Sequence, residues 1–545
     1  MRWISPLSIV GVLFGTLFFA FSLTPSLLPR PFAMQGLIAG LSFTAGYALG
    51  VFGQWLWYYL ELPGPRLRTA RVISIVAGSG CVLVMLLFMW RASEWQMAVR
   101  ELMGIEETVT VQPLGVVAIA ALVFVAMLIV ARLFRATFRF LSRKLQRIVP
   151  RRISYAVWVM AALALFWALI DGVVFTVALQ VADSSYQQVD ALIEDDLERP
   201  LSPKKTGSPD SLVEWRDLGR QGRNYIATGP SVANLSEFFG DDTVLEPIRV
   251  YIGLNAAETA EERAALALAE LQRVNAFERS VLLLVTPTGT GWVDPAAAIP
   301  IEYLHRGDIA TVAAQYSYLP SPLSLWVESD YGVETARALF EVIYGYWTEL
   351  PADERPALYL HGLSLGALNS DRSFDFYDII HDPFQGALWS GPPFRSETWQ
   401  RITQRRDRGS PAWLPIFRDG HVVRFMNQEH GFERPDAPWG PFRIGFLQYA
   451  SDPVTFFEPE AFFREPAWMS GQRAPDVAPD LRWYPIVTML QLAADMTAGT
   501  TPAGYGHNYA VEHYIDAWHA LTEPPGWSEA EIERLKVWLS GIEEE

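Results

Sequence analysis

Five stretches in the first third of the chain carry no charged residue: Trp3–Pro29, Pro31–Leu60, Val72–Trp90, Thr108–Ala131 and Ile153–Ile170. The fifth resumes after Asp171 as Gly172–Ala182. A helix needs roughly 20 apolar residues to cross the hydrocarbon of a bilayer. Together the five runs predict an all-α transmembrane helical bundle of five helices over residues 1–182. Residues 183–245 are polar and interrupted by Pro200, Pro203, Pro209 and Pro230, which reads as a linker or irregular extension. The pattern then changes period. Short apolar runs at Arg249–Gly253, Ser280–Thr286, Ile309–Tyr316, Ala357–His361, Gly386–Trp389, His421–Phe425 and Arg443–Tyr449 read as strands. Glu261–Arg273, Val333–Leu350, Tyr484–Met496, Tyr509–Leu521 and Glu529–Ser540 read as helices. Strands alternating with helices predict an α/β domain over 246–545, with a mostly parallel sheet covered on both faces. Arg395–Pro441, rich in Arg and Pro, is a candidate lid between late strands.

Charge divides the chain in the same place. Residues 1–199 hold 16 basic and 12 acidic residues, and the remainder holds 27 basic and 48 acidic. All eight histidines lie in the second part. An acidic second part argues against nucleic acid as a partner, because phosphate neutralisation needs a basic surface. The Arg132–Arg152 connection carries eight basic residues and no acid, so the positive-inside rule makes it cytoplasmic. With the N-terminus also inside, five spans put the second part outside the cytoplasm. Cys81 is the only cysteine, so the chain forms no internal disulfide. No CxxC or HExxH pattern supports a metal, and neither a dinucleotide fingerprint nor a P-loop is present; the expected cofactor set is none. Asp171, inside the fifth apolar segment, reads first as a helix-end or paired residue and second as part of a proton or substrate path.

The chemistry centres on Gly362-Leu363-Ser364-Leu365-Gly366. This is a G-x-S-x-G pattern between an apolar run and small, helix-compatible residues. Such a turn lifts a serine hydroxyl above a sheet and leaves room for it through its glycines. A serine nucleophile needs a base, and the base an orienting acid, in chain order Ser, Asp or Glu, then His. Asp452 follows the Arg443–Tyr449 strand, and its alternative reading is a turn-starting Asp before Pro453. His507 sits in the Gly-flanked loop Gly504-Tyr505-Gly506-His507 and is preferred over His513, which falls within a helix. The oxyanion hole is expected from the N–H groups of Leu365 and Thr288, the latter in Thr286-Pro287-Thr288-Gly289-Thr290-Gly291-Trp292. Gly289, Thr290, Phe456 and Phe457 are the substrate-binding candidates. The aromatic run after Asp452 reads equally as core.

With these residues in view, the chain resembles the bacterial membrane-anchored α/β-hydrolase family, in which a multi-span domain precedes a serine-hydrolase domain. The resemblance rests on Ser22-Leu23-Thr24-Pro25-Ser26-Leu27-Leu28-Pro29-Arg30, Thr288-Gly289-Thr290-Gly291-Trp292-Val293, the Ser364 elbow, Trp389-Ser390-Gly391-Pro392-Pro393-Phe394 and Leu447-Gln448-Tyr449-Ala450-Ser451-Asp452-Pro453. It covers the whole chain and supports Asp452 as the acid. It implies an esterase-like activity in a protein of the bacterial inner membrane. Membrane tethering, not the resemblance, suggests a lipid or acylated envelope substrate, with membrane lipids as partners. Two other readings stay open: a transacylase using the same triad, and a receptor or transporter with a non-catalytic hydrolase-like domain.

Overall fold

The computed structural model describes residues 7–63, 67–105, 112–145, 190, 197–319, 329–497 and 501–543. The fifth apolar run, Asp171 and residues 146–152 of the basic connection lie outside these residues. The chain divides into two compact units, and the division is not linear in sequence: Phe457–Pro502 belongs with the N-terminal helices, and the rest of the C-terminal half forms the other unit.

The N-terminal unit contains α1 (Ile9–Ser22), α2 (Phe32–Tyr59), α3 (Leu67–Leu102) and α4 (Pro113–Leu145). Among the described residues three helices are long and apolar enough to cross a membrane: Phe32–Tyr59, Arg68–Leu102 and Pro113–Ala136. The first predicted span differs. Its helix is only 14 residues long, about 21 Å at 1.5 Å per residue. It ends at its C-cap, Leu23, and the chain then turns through the buried Thr24–Leu28. Close helix approach in this unit depends on small residues. A Cβ on Gly46 would sit 2.6 Å from the Phe14 carbonyl oxygen, and one on Gly40 would sit 2.8 Å from that of Ala120.

Phe457–Pro502 packs within the N-terminal unit. Its helix Val487–Asp495 packs on α1 and α2, Tyr484 stacks on Phe21 at 4.3 Å, and Gln491 Nε2 donates to the Ser22 and Thr24 carbonyls. The decisive contact is a fully buried ion pair, Arg30 Nε to Asp495 Oδ1 at 2.8 Å. Ser26 Oγ and the Leu27 N–H donate to the same carboxylate. An unpaired charge in that position would carry a large desolvation cost, so the Ser26–Arg30 segment and Asp495 specify each other.

The second unit is built on seven parallel strands: β1 (Ile248–Ile252), β2 (Val281–Thr286), β3 (Ile309–Ala314), β4 (Ala357–Leu363), β5 (Gly386–Ser390), β6 (Val423–Met426) and β7 (Arg443–Leu447). Their order across the sheet is β1-β3-β2-β4-β5-β7-β6. β2, β3 and β5 are almost wholly buried along their length, as continuous apolar runs in a sheet covered on both faces should be.

Two boundary expectations change. Residues 197–245 are not a linker but part of this unit. They form Trp215–Leu218, Gly219–Ala227 and Val232–Phe239, and Ile226 and Leu235 are fully buried. Polarity misleads here because Arg249, itself buried, pairs with Glu302 at 2.6 Å and also donates to the Tyr225 carbonyl. Residues 395–441 likewise belong to the body of the fold. They contribute β6, and Trp399 donates to Gln448 Oε1 while Gln448 donates to the Trp413 carbonyl.

Candidate active site

The carboxyl ends of β2, β4, β5 and β7 are neighbours in the sheet, and each leads into a residue singled out by sequence. This is the edge of a parallel sheet where ligands are received.

β4 runs into Ser364, whose backbone adopts φ 58°, ψ −122°. That conformation is strained for a residue with a Cβ. Close packing enforces it. A Cβ on Gly362 would lie 2.2 Å from the Gly366 carbonyl carbon, and one on Gly366 would lie 2.1 Å from the Thr286 carbonyl oxygen. Both glycines of the motif are therefore fixed by β2, β4 and the helix Leu365–Asp371. The Ser364 N–H donates to the Ser390 carbonyl at 2.9 Å, which ties the elbow to the end of β5.

The next residue along β5, Gly391, has φ +50°, and a Cβ there would meet His507 Cε1 and the Tyr509 ring at 2.8 Å. His507 thus lies against the β5 end to which the Ser364 backbone is bonded. His507 Nδ1 and Asp452 Oδ2 are 2.7 Å apart. Asp452 is fully buried and receives three further donors: Tyr509 O–H at 2.7 Å, Thr455 O–H at 3.2 Å and the Val454 N–H at 2.8 Å. Ser451 Oγ accepts the Gly506 N–H, holding the His507 loop beside the acid.

Electrostatics separate the histidines. Burial alone would lower the His507 pKa. The Asp452 charge and hydrogen bond, with the nearby Asp294 charge, outweigh it and raise the pKa above 6.5. His361 goes the other way, pushed by burial to about 4. His513 is also lowered by burial, and its Nδ1 is engaged with the Tyr449 hydroxyl at 2.6 Å. The structure therefore brings His507, and not His513, to Asp452.

The oxyanion expectation changes at Thr288. The Leu365 N–H is the first amide of its helix, a position without an intrahelical acceptor. The Thr288 N–H is spent within its own turn, donating to the Trp292 carbonyl at 2.9 Å. The Gly291 N–H in turn donates to the Thr288 carbonyl, while Gln315 and Tyr251 donate to the Thr290 and Gly291 carbonyls. Gly289 and Thr290 stand in this pinned loop at the end of β2. Phe456 is core rather than pocket wall: it is 2% exposed and meets Trp399 edge-on at 5.7 Å. Phe457 is also buried and begins the segment that belongs to the other unit.

Sequence reasoning overlooked Tyr509, Thr455, Ser451 and Asp294. Tyr509 and Ser451 adjoin motifs already noted. Asp294 caps the helix Pro295–Leu304 and has no motif to mark it.

Two family models cover nearly all of this architecture. The alpha/beta-hydrolase family model matches residues 248–535, and the model of the alpha/beta-hydrolase family N-terminus matches residues 23–230. The chain belongs to the alpha/beta-hydrolase family. No curated protein and no solved structure matches it. The all-parallel sheet and the apolar N-terminal helices agree with a membrane-anchored member.

Proposed function

We propose that this alpha/beta-hydrolase is a serine ester hydrolase working through Ser364, His507 and Asp452. His507 Nε2 takes the Ser364 proton as Oγ bonds to an ester carbonyl carbon. The imidazolium returns that proton to the departing alkoxide, leaving an acyl-enzyme. Water, deprotonated by His507, then releases the acid. Asp452 holds the tautomer with Nδ1 protonated and stabilises the imidazolium. The developing oxyanion is received by the Leu365 N–H, and Thr288 contributes its hydroxyl in place of its engaged amide. The observation that carries this reading is the strained Ser364 turn at the sheet edge that also holds the His507–Asp452 pair.

The substrate class is an acyl ester of a lipid or acylated envelope component, supported by the membrane-length helices in the same chain. The basic connection after the fourth apolar run supports an N-terminus in the cytoplasm and a catalytic unit outside it, in a bacterial inner membrane. The test is hydrolysis of p-nitrophenyl acyl esters by the full chain in detergent, beside Ser364→Ala and His507→Ala. The reading requires turnover in the wild type and buffer-level rates in both variants. Turnover surviving in Ser364→Ala would remove the nucleophile.

A further inference from the structure

One end of the N-terminal unit gathers hydrogen-bond donors with no acceptor to meet them. α1 ends there, α2 and α4 begin there, and α3 ends there. Arg30 is 3% exposed and Gln96 is 5% exposed. Arg30 uses Nε on Asp495 and Nη1 on Gln35 Oε1, while its Nη2 has no partner. Gln96 Oε1 accepts the Arg30 N–H, so its Nε2 is the end left over, and it too is unpartnered. Arg100, one turn further along α3, is 9% exposed.

All three side chains line one pocket, together with Leu23, Met89 and Val116. Its inner void is about 30 Å³, and about 530 Å³ of empty space when the open mouth is included. The inner void admits one or two waters, and it opens outward through the mouth.

The charges do not balance inside the pocket. Asp495 neutralises Arg30 and is fully engaged by Ser26 and Leu27. Glu94 and Glu101, on the same helix as Arg100, are exposed, and among the described residues no carboxylate forms an ion pair with Arg100. Among the described residues, Arg100 is therefore a buried positive charge without an ion-pair partner. The pocket is also lined by Phe32 and Pro113, the first residues of α2 and α4, so two long helices direct their positive ends toward it. Two guanidinium groups and an amide donor form a recognition set for a tetrahedral oxyanion. Apart from Gln35, whose amide is engaged by Arg30 and the Ser22 carbonyl, the other walls are apolar, which fits the hydrocarbon that follows such a head.

We propose that this pocket binds the phosphate head of an anionic amphiphile, as a site separate from the Ser364 chemistry and independent of it. The lipid head supplies the acceptors that Arg30 Nη2, Gln96 Nε2 and Arg100 lack, and its chain lies along Leu23, Met89 and Val116.

The experiment uses the full chain in dodecyl maltoside, following thermal unfolding and equilibrium binding with three probes: dioleoyl phosphatidic acid, dioleoylglycerol and inorganic phosphate. Phosphatidic acid should bind saturably and raise Tm. Dioleoylglycerol, lacking the phosphate, and inorganic phosphate, lacking the chain, should each bind at least about tenfold more weakly. Arg100→Gln should weaken phosphatidic acid by at least about tenfold. Its lipid-free Tm should hold, because among the described residues Arg100 forms no ion pair. Should Arg100→Gln fail to fold, Gln96→Leu gives the same reading with a loss of about threefold or more. Equal binding of phosphatidic acid and dioleoylglycerol would overturn the proposal, as would unchanged affinity in the variants. Inorganic phosphate binding as tightly as the lipid would overturn its amphiphile part.

Discussion

Replacing Asp452 by Asn probes the electrostatics of the proposed triad with the smallest change in shape. Asp452 accepts four hydrogen bonds: Val454 N–H on Oδ1, and His507, Tyr509 and Thr455 on or around Oδ2. An amide has one acceptor oxygen. If that oxygen keeps Val454, the NH₂ group faces three donors; if it turns, the NH₂ opposes the Val454 N–H. Either way a buried donor is left unmet, at about 1–3 kcal/mol each. The His507 ring is also driven to the wrong tautomer, and the same replacement in a serine protease triad lowers kcat by about 10⁴-fold.

The pH profile supplies a separate signature of Asp452→Asn. His507 must be neutral to act as base. Its pKa is raised above 6.5 chiefly against burial by Asp452, so the acid limb of kcat/KM in the wild type should lie above pH 6.5. In Asp452→Asn burial prevails and the limb should move to lower pH. A raised folded pKa also means that His507 stabilises the fold below the unfolded value of about 6.5, an advantage lost as pH rises through the folded pKa. The wild-type lead in Tm over the variant should therefore be widest below pH 6.5 and narrow above it. The assay is ester hydrolysis from pH 5 to 9 with parallel thermal melts. A rate within tenfold of wild type, or an acid limb that stays in place, would refute the reasoning.

Tyr509→Phe removes one charge-assisted bond to Asp452 and should cost about 1.5–3 kcal/mol in denaturant unfolding, with kcat falling far less than in Asp452→Asn. Ser364→Gly removes activity, yet by relieving φ 58° it should raise stability by about 1 kcal/mol, read as a higher Tm. Asp495→Asn leaves Arg30 uncompensated and should destabilise the N-terminal unit by about 3–5 kcal/mol, read as loss of a folded monodisperse species in detergent; partial recovery is expected when Arg30 is also replaced by Met.

The strands were legible because they are short, largely apolar runs between polar turns, with β2 and β3 continuous in the way a sheet buried on both faces requires. Ser364 was legible because its turn requires glycine two positions to either side, at Gly362 and Gly366, and His507 because a loop rich in glycine preceded a helix. What escaped depends on pairs distant in sequence. Asp495 lies 465 residues from Arg30, and no local period announces that a helix after the acid will pack against the first span. The same ion pair explains why Ser22–Arg30 is a folded segment and not the end of a longer helix. Residues 197–245 looked like a linker because their polar groups, such as Ser211, meet buried partners such as Glu270 that lie far along the chain. The Thr288 amide was misjudged for a local reason: the turn that presents it also consumes it.

The central claim is that Ser364 is an activated nucleophile. The most direct measurement is labelling of the purified full chain with a fluorophosphonate probe, followed by peptide mapping. The wild type should be labelled on Ser364, with labelling slowed in His507→Ala and abolished in Ser364→Ala. A label that persists in Ser364→Ala, or that maps to another serine, would contradict it.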